Sequence, residues 1–289
     1  MNLWNSNVEI DFFKKSLDGF ASVEDLFYRL NSKYYAYIPK GSTSNGATIQ
    51  SRNALIGKFT EKWAKDLFDP IAKKLGLFAI NGVVCNSLGL NSQSSADLAF
   101  CTTNENTQKA ENIKLLFEIK MSVISNYEYI SDNEIKYLGD YKTHKGNPSL
   151  LRSDSMLKAI GKAINIRVSS TEGEKIPIII LGNSPITKNY THKADVLKNS
   201  GVIQGFLSIN PTPTESDYIL KSDNKGFQTV KDYDELEKII NALLSLKLNF
   251  FSSMITKTEL GRLIQIASQE KSDEEKAEKF LKLLKGDND

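Results

Sequence analysis

Residues 113–123 read IKLLFEIKMSV, and this segment constrains the chain more than any other. The spacing predicts a strand, in which alternate side chains face the same side. Leu115, Phe117, Ile119 and Met121 then share one face, and Leu116, Glu118 and Lys120 the other. A carboxylate and an ammonium therefore sit together on an otherwise apolar strand. Burying either one unpaired is expensive, so the fold must bring partners to them. The acidic-x-Lys pattern alone is common: composition gives about four matches by chance, and the chain has five, at Glu118, Glu134, Asp140, Asp223 and Glu274. Only Glu118-Ile119-Lys120 lies within a hydrophobic strand; the others sit in polar stretches and read as solvated charge.

The flanking sequence supplies an α/β frame. Val8 to Asn31 reads as two short helices, with Ser22 and Asp25 spaced as a capping box. Pro39 to Asn53 is a loop by its turn chemistry. A long helix is expected from Ala54 to Leu75 on the stripe Leu55, Phe59, Trp63, Leu67 and Ile71, kinked or broken at Pro70. Strands are expected at Phe78–Cys85 and Ala96–Thr102, with a hairpin loop at Thr103–Asn112 leading into the central strand. A polar region runs from there to Ser153. The helix Asp154–Val168 follows, with Met156, Leu157, Ile160, Ala163, Ile164 and Val168 on its apolar side. Ile176–Leu181 is apolar throughout, as a strand buried on both faces would be, and Val202–Ile209 is a fifth strand stopped by Pro211 and Pro213. Helices then cover Asp232–Phe251, Lys257–Ala267 and Ser272–Leu284, the last opened by a Ser272/Glu275 capping box.

The expected fold is α/β, a mixed central β-sheet flanked by helices. Residues 1–53 would form N-terminal helices and a loop packed on a core at 54–231, with a helical extension at 232–289, all as one integrated domain.

Composition narrows the function classes. Lys+Arg 37 against Asp+Glu 35 leaves a net charge of +2, which argues against coating nucleic acid by bulk charge. Arginine occurs at only five positions, a bias read as genomic composition rather than function. No apolar run is long enough for a membrane span, and the acidic start is unlike a signal peptide, so no membrane partner and a cytoplasmic location are expected. Cys85 and Cys101 read as buried structural thiols, and His144 and His192 as surface residues. There is no phosphate-binding G-x-x-x-x-G-K-[ST] loop and no G-x-S-x-G elbow.

Asp97 lies 21 residues before Glu118, in the preceding strand. If those strands pair, the two carboxylates come together and repel unless a proton or cation intervenes. A hard divalent cation with oxygen ligands, Mg²⁺, is the economical answer, held by Asp97 and Glu118. Lys120 could then orient or deprotonate an attacking water, or stabilise a pentavalent phosphate. The competing reading is a structural Glu118–Lys120 ion pair beside a surface aspartate.

Asp97, a gap of about 20 residues, and Glu118-Ile119-Lys120 on a buried strand resemble the PD-(D/E)xK nuclease superfamily, within it type II restriction endonucleases. The resemblance covers roughly residues 54–210 by element order, and departs from the motif at Ala96, which stands in place of its proline. It implies a restriction-endonuclease-like core and a further site glutamate from the preceding helix, here Glu61, whose alternative is an exposed charge among Lys58, Lys62 and Lys65. It also implies a Mg²⁺-dependent hydrolase of a restriction–modification system, a site-specific deoxyribonuclease cutting double-stranded DNA to leave 5′-phosphates. A homodimer and a DNA methyltransferase encoded nearby would accompany it. The C-terminal stripe Leu236, Ile239, Ile240, Leu243, Leu244 and Leu248 could serve that dimer or pack on the core. The alternatives are a structure-specific or repair nuclease of the same fold, and a non-catalytic DNA-binding protein.

Residues 136–167 hold seven basic residues against two acidic ones. Lys136, Lys142, Lys145, Asn147, Arg152, Ser153 and Lys158 are the expected DNA contacts, since Lys, Arg, Asn and Ser are the usual phosphate and base-edge partners. The loops Asn183–Lys193 and Pro39–Asn53 are further candidates.

Overall fold

A computed structural model describes residues 2–46, 48–132, 134–246, 248, 250 and 256–285. The chain divides into two compact units, Met1–Leu248 and Asn249–Asp289.

The first unit opens with α1 (Ser6–Gly19) and the short α2 (Val23–Leu26), whose Ser22/Asp25 capping box forms as expected. Next come β1 (Tyr28–Leu30), β2 (Lys33–Tyr35) and the long α3 (Gln50–Lys74). Strands β3 (Phe78–Val83), β4 (Ala96–Cys101) and β5 (Ile113–Ile119) form an antiparallel run. The hairpin of β6 (Asn126–Ser131) and β7 (Glu134–Gly139) leads to α4 (Ser153–Ser169), the crossover to β8 (Ile178–Gly182). A second crossover, α5 (Lys188–Asn199), leads to β9 (Gly205–Ser208), and β10 (Phe227–Thr229) and α6 (Tyr233–Leu244) complete the unit.

Six strands form one mixed sheet in the order β10-β9-β8-β5-β4-β3, parallel from β10 through β5 and antiparallel beyond. Its two faces carry separate cores. Leu115, Phe117, Ile119 and Met121 join Phe68 and Ile71 of α3, Phe12 and Phe13 of α1, and Leu236 and Ile240 of α6. Leu116 lies on the other face with Met156, Ala159, Ala163 and Ile166 of α4 and Tyr190 and Ala194 of α5. The alternation read from the central strand therefore sets which residues meet which helices. The C-terminal stripe resolves the same way, since Leu236, Ile240 and Leu243 are buried in the core of this unit.

A second sheet departs from the expected fold. Four antiparallel strands pair in the order β1-β2-β6-β7; β1 lies in a stretch that reads as helix, β6 and β7 in the polar region, and β2 where the sequence assigns no element. Two of them are only three residues long, and the β6/β7 pairing contains register shifts, so no sustained alternation marks them. Buried polar groups fasten this sheet to the core. The Glu9 carboxylate accepts from Trp4 Nε1 (3.0 Å), Ile124 N–H (2.7 Å), Ser125 N–H (3.1 Å) and Tyr127 OH (2.8 Å). Arg52 Nη1 donates to the carbonyls of Leu26 and Ala36, and its guanidinium lies over the rings of Tyr28 and Tyr37.

Three further expectations are corrected. α3 runs through Pro70 to Lys74, because Leu67, Phe68, Ile71 and Ala72 are all buried and tertiary packing outweighs the missing N–H. Lys188–Asn199 is a helix where a loop was expected for its first half; its polar sequence buries only Tyr190, Ala194 and Asp195. On α4 the buried side is Met156, Ala159, Ala163 and Ile166, while Leu157, Ile164 and Val168 are 61%, 44% and 66% exposed. Two alanines on that side let the helix sit close to the sheet, and the larger apolar residues turn outward.

The second unit contains α7 (Lys257–Ala267), capped by Thr256, and α8 (Asp273–Lys285), opened by the Ser272/Glu275 capping box. Among the described residues no helix is long and apolar enough to cross a membrane.

Candidate active site

The last paired couple of β4 and β5 near the site is Leu98↔Phe117. One step further along, Asp97 and Glu118 come level, on the sheet face covered by α4. Asp97 Oδ2 accepts the Ile119 N–H at 2.6 Å, which fixes the carboxylate at the end of the ladder. Asn81 of β3 steadies the backbone by donating to the carbonyls of Asp97 (2.8 Å) and Glu61 (3.0 Å). Lys120 follows β5, and its N–H donates to the Leu181 carbonyl at 2.7 Å.

Four charges close on one another here. Lys120 Nζ lies 2.5 Å from Glu118 Oε1 and 3.7 Å from Asp97 Oδ2. Lys162 Nζ, from α4, lies 2.6 Å from Glu118 Oε2 and 3.4 Å from Asp97 Oδ1. Lys162 Nζ also donates to the Ser95 carbonyl at 2.7 Å. All four side chains are at most one-fifth exposed, so these pairs are far less screened than surface ones. Burial works to lower the Lys162 pKa, and the carboxylates of Asp97 and Glu118 overcome it, leaving the ammonium above its ordinary range.

Glu61 stands at the edge of this quartet on α3, half-buried. Burial raises its carboxyl pKa, the charge of Asp97 adds to the rise, and Lys120 and Lys162 oppose it. It therefore senses all four charges without being ion-paired to either lysine among the described contacts.

Beside the quartet opens a cleft of about 550 Å³. Arg52, Lys120, Lys145 and Arg152 line it, with no Asp or Glu among its described lining residues. Asn45, Asn53 and Asn147 add amide groups. Asn45, Gly46 and Thr48 before α3 and Lys145 to Pro148 before α4 both line it, and Lys145 Nζ donates to the Ser44 carbonyl at 3.2 Å. Ser149 holds the second loop against the site, donating through Oγ to the Lys120 carbonyl at 2.6 Å.

His144 anchors the same loop and is buried, not on the surface as expected. Its ring stacks on Tyr37 at 4.0 Å; Nδ1 accepts the Gly146 N–H at 3.0 Å and Nε2 donates to the Ile124 carbonyl at 2.9 Å. Burial pushes its pKa down to about 4, so the ring is neutral near pH 7.

Comparison with family models, curated proteins and solved structures gives no match.

The structure brings together Asp97, Glu118 and Lys120, with Glu61 alongside. Of the expected DNA contacts, Lys145, Asn147 and Arg152 line the cleft. Arg152 also grips Asp154 through Nε (2.7 Å) and Nη2 (3.0 Å). The other four stand outside the lining. Lys136 sits opposite Glu128 in the small sheet, Lys142 donates to the Asp217 carbonyl at 2.8 Å, and Ser153 and Lys158 are exposed on the first turns of α4. The Asn183–Lys193 loop is not in the cleft either, and Asn183 is buried, its side chain bonded to the Ser122 backbone.

Two residues escaped the sequence reading. Lys162 was counted only as part of a basic stretch, although it lies three residues after Ala159 and four before Ile166, on the buried side of α4. Arg52 carried no signal beyond its place in a candidate loop.

Among the described residues no three His, Cys, Asp or Glu side chains converge as a metal-holding group. Magnesium does not require three, since it is commonly held by one or two carboxylates plus water and substrate phosphate. Asp97 and Glu118 fit that donor chemistry: both are oxygen ligands, and each already reaches the same two cations.

Proposed function

We propose that this protein is a Mg²⁺-dependent endonuclease of the PD-(D/E)xK type, acting on double-stranded DNA at specific sequences as a restriction enzyme. One observation carries this reading: two carboxylates and Lys120 converge at the end of a buried strand, directly beside a cleft lined by cations, with no carboxylate among its described lining residues. A phosphodiester in that cleft would lie against the reacting groups.

Bound between Asp97 and Glu118, the ion would supply Lewis-acid stabilisation of charge on the phosphate and lower the pKa of water. Lys120 would orient the attacking water and stabilise the crowded phosphate. The water oxygen bonds to phosphorus as the P–O3′ bond breaks. Water gives up a proton and O3′ takes one up, leaving a 5′-phosphate and a 3′-hydroxyl. Arg52, Lys145 and Arg152 would hold the backbone, and Asn45, Asn53 and Asn147 offer groups suited to base edges. A homodimer, cutting one strand per protomer, and a partner methyltransferase belong to the same proposal.

A second reading rests on the closure of the quartet. Every charge in it is already paired, as in a structural network within a non-catalytic DNA-binding protein. Incubation with plasmid DNA and Mg²⁺ separates the readings. Discrete fragments support the restriction enzyme, smearing or structure-dependent nicking points to a less specific nuclease, and intact DNA favours the second reading.

A further inference from the structure

The two lysines divide the carboxylate oxygens between them. Lys120 takes Glu118 Oε1 and Asp97 Oδ2; Lys162 takes Glu118 Oε2 and Asp97 Oδ1. No carboxylate oxygen is left without a cation. Asp97 Oδ2 is further committed to the Ile119 N–H. Within the quartet two negative charges balance two positive ones, with Glu61 at its edge. A divalent cation entering it would add positive charge in a poorly solvated place, which favours expelling an ammonium or bringing an anion.

The two lysines reach the carboxylates from different elements. Lys120 is bound to the end of β5, and its Nζ also donates to the Ile119 carbonyl at 3.2 Å. Lys162 reaches in from a separate element, α4, on a flexible stem. Its other partner, the Ser95 carbonyl, lies on the chain leading into β4 and asks nothing of the carboxylates.

We propose that Lys162 is an internal placeholder cation: it occupies the position between Asp97 and Glu118 that Mg²⁺ would take, and passes to a substrate phosphate when the ion binds. This rests on the metal-site reading of Asp97 and Glu118. Metal and phosphate then help each other to bind, because the phosphate supplies a new partner for the displaced ammonium. Such coupling is reciprocal by linkage. The device also keeps the acidic pair neutral while the site holds no metal.

The test is calorimetric titration of Mg²⁺ into the full chain, with and without inorganic phosphate, for wild type and Lys162→Met. In wild type, phosphate should tighten Mg²⁺ binding about tenfold or more. Lys162→Met should bind Mg²⁺ about tenfold more tightly than wild type without phosphate, and the gain from phosphate should shrink. Lys162→Arg, which keeps the charge, should behave like wild type, and thermal melts of both variants check folding. The inference is overturned if Lys162→Met binds Mg²⁺ no more tightly than wild type while Asp97→Asn abolishes binding; the metal site then survives without the placeholder. If neither wild type nor Lys162→Met binds Mg²⁺ under any condition, the metal site and the placeholder fall together.

Discussion

The quartet and the cleft adjoin each other and handle charge in opposite ways. In the quartet each charge is neutralised by a partner contributed from β4, β5 or α4. In the cleft, Lys120 is held by the quartet and Arg152 by Asp154, while Arg52 of α3 and Lys145 of the loop before α4 have no carboxylate partner among the described contacts. Lys120 belongs to both. A closed set of charges is what a strand end needs to be buried; Arg52 and Lys145 remain able to meet an anion from outside. On the proposed reading the substrate would lie on the cleft side and the reacting groups on the quartet side, with Lys120 between them.

The sharpest break in that comparison is removal of a carboxylate. Glu118→Gln should lower the rate of DNA cleavage at least about 10³-fold, because it removes a proposed metal ligand and the charge that holds both lysines. Comparison of its melting curve with wild type separates this loss from unfolding.

His144 tests the packing of the loop behind the cleft rather than the chemistry. Its pKa is about 4 in the fold against 6.5 when unfolded. Below pH 6.5 the unfolded chain takes up a proton that the folded chain refuses. Stability contributed by the neutral ring is therefore complete above pH 6.5 and lost as pH falls toward 4, on the order of 3 kcal/mol in all. Urea midpoints measured from pH 7 to pH 4 should fall more steeply for wild type than for His144→Gln. Parallel profiles would show that the ring is not held neutral.

Lys145→Ala with Arg152→Ala should weaken DNA binding about tenfold and flatten the dependence of log K on log salt by one to two units, roughly one per lost phosphate contact. Arg152 is the weaker of the two, being paired with Asp154. An unchanged salt slope would move the DNA elsewhere. The smallest effect belongs to Glu61→Gln, at most a few-fold in cleavage rate. Its deficit should narrow toward acid pH, where the wild-type carboxyl, already raised by burial, becomes protonated like the amide.

What the sequence revealed follows the same division. The quartet's acidic half was legible because β5 is dense in apolar residues, so Glu118 and Lys120 stood out and the alternation assigned their face. Asp97 followed from hairpin geometry alone. Lys162 was not legible, because large apolar residues suggested the wrong buried side for α4, whereas Ala159 and Ala163 make the close approach. The cleft was half legible. Lys145, Asn147 and Arg152 come from one basic stretch, but Arg52 and His144 are fixed by distant backbone carbonyls and tyrosine rings that no local pattern records. The small sheet was hidden by two three-residue strands and by the register shifts between β6 and β7.

Asp97, Glu118 and Lys120 are the proposed DNA-cleaving centre. Digestion of plasmid DNA with Mg²⁺ by wild type, Lys120→Ala and Asp97→Ala tests it most directly. Discrete fragments from wild type, lost with a chelator and lost in both folded variants, are the predicted result. Full cleavage by either variant, or no cleavage by wild type, would contradict it.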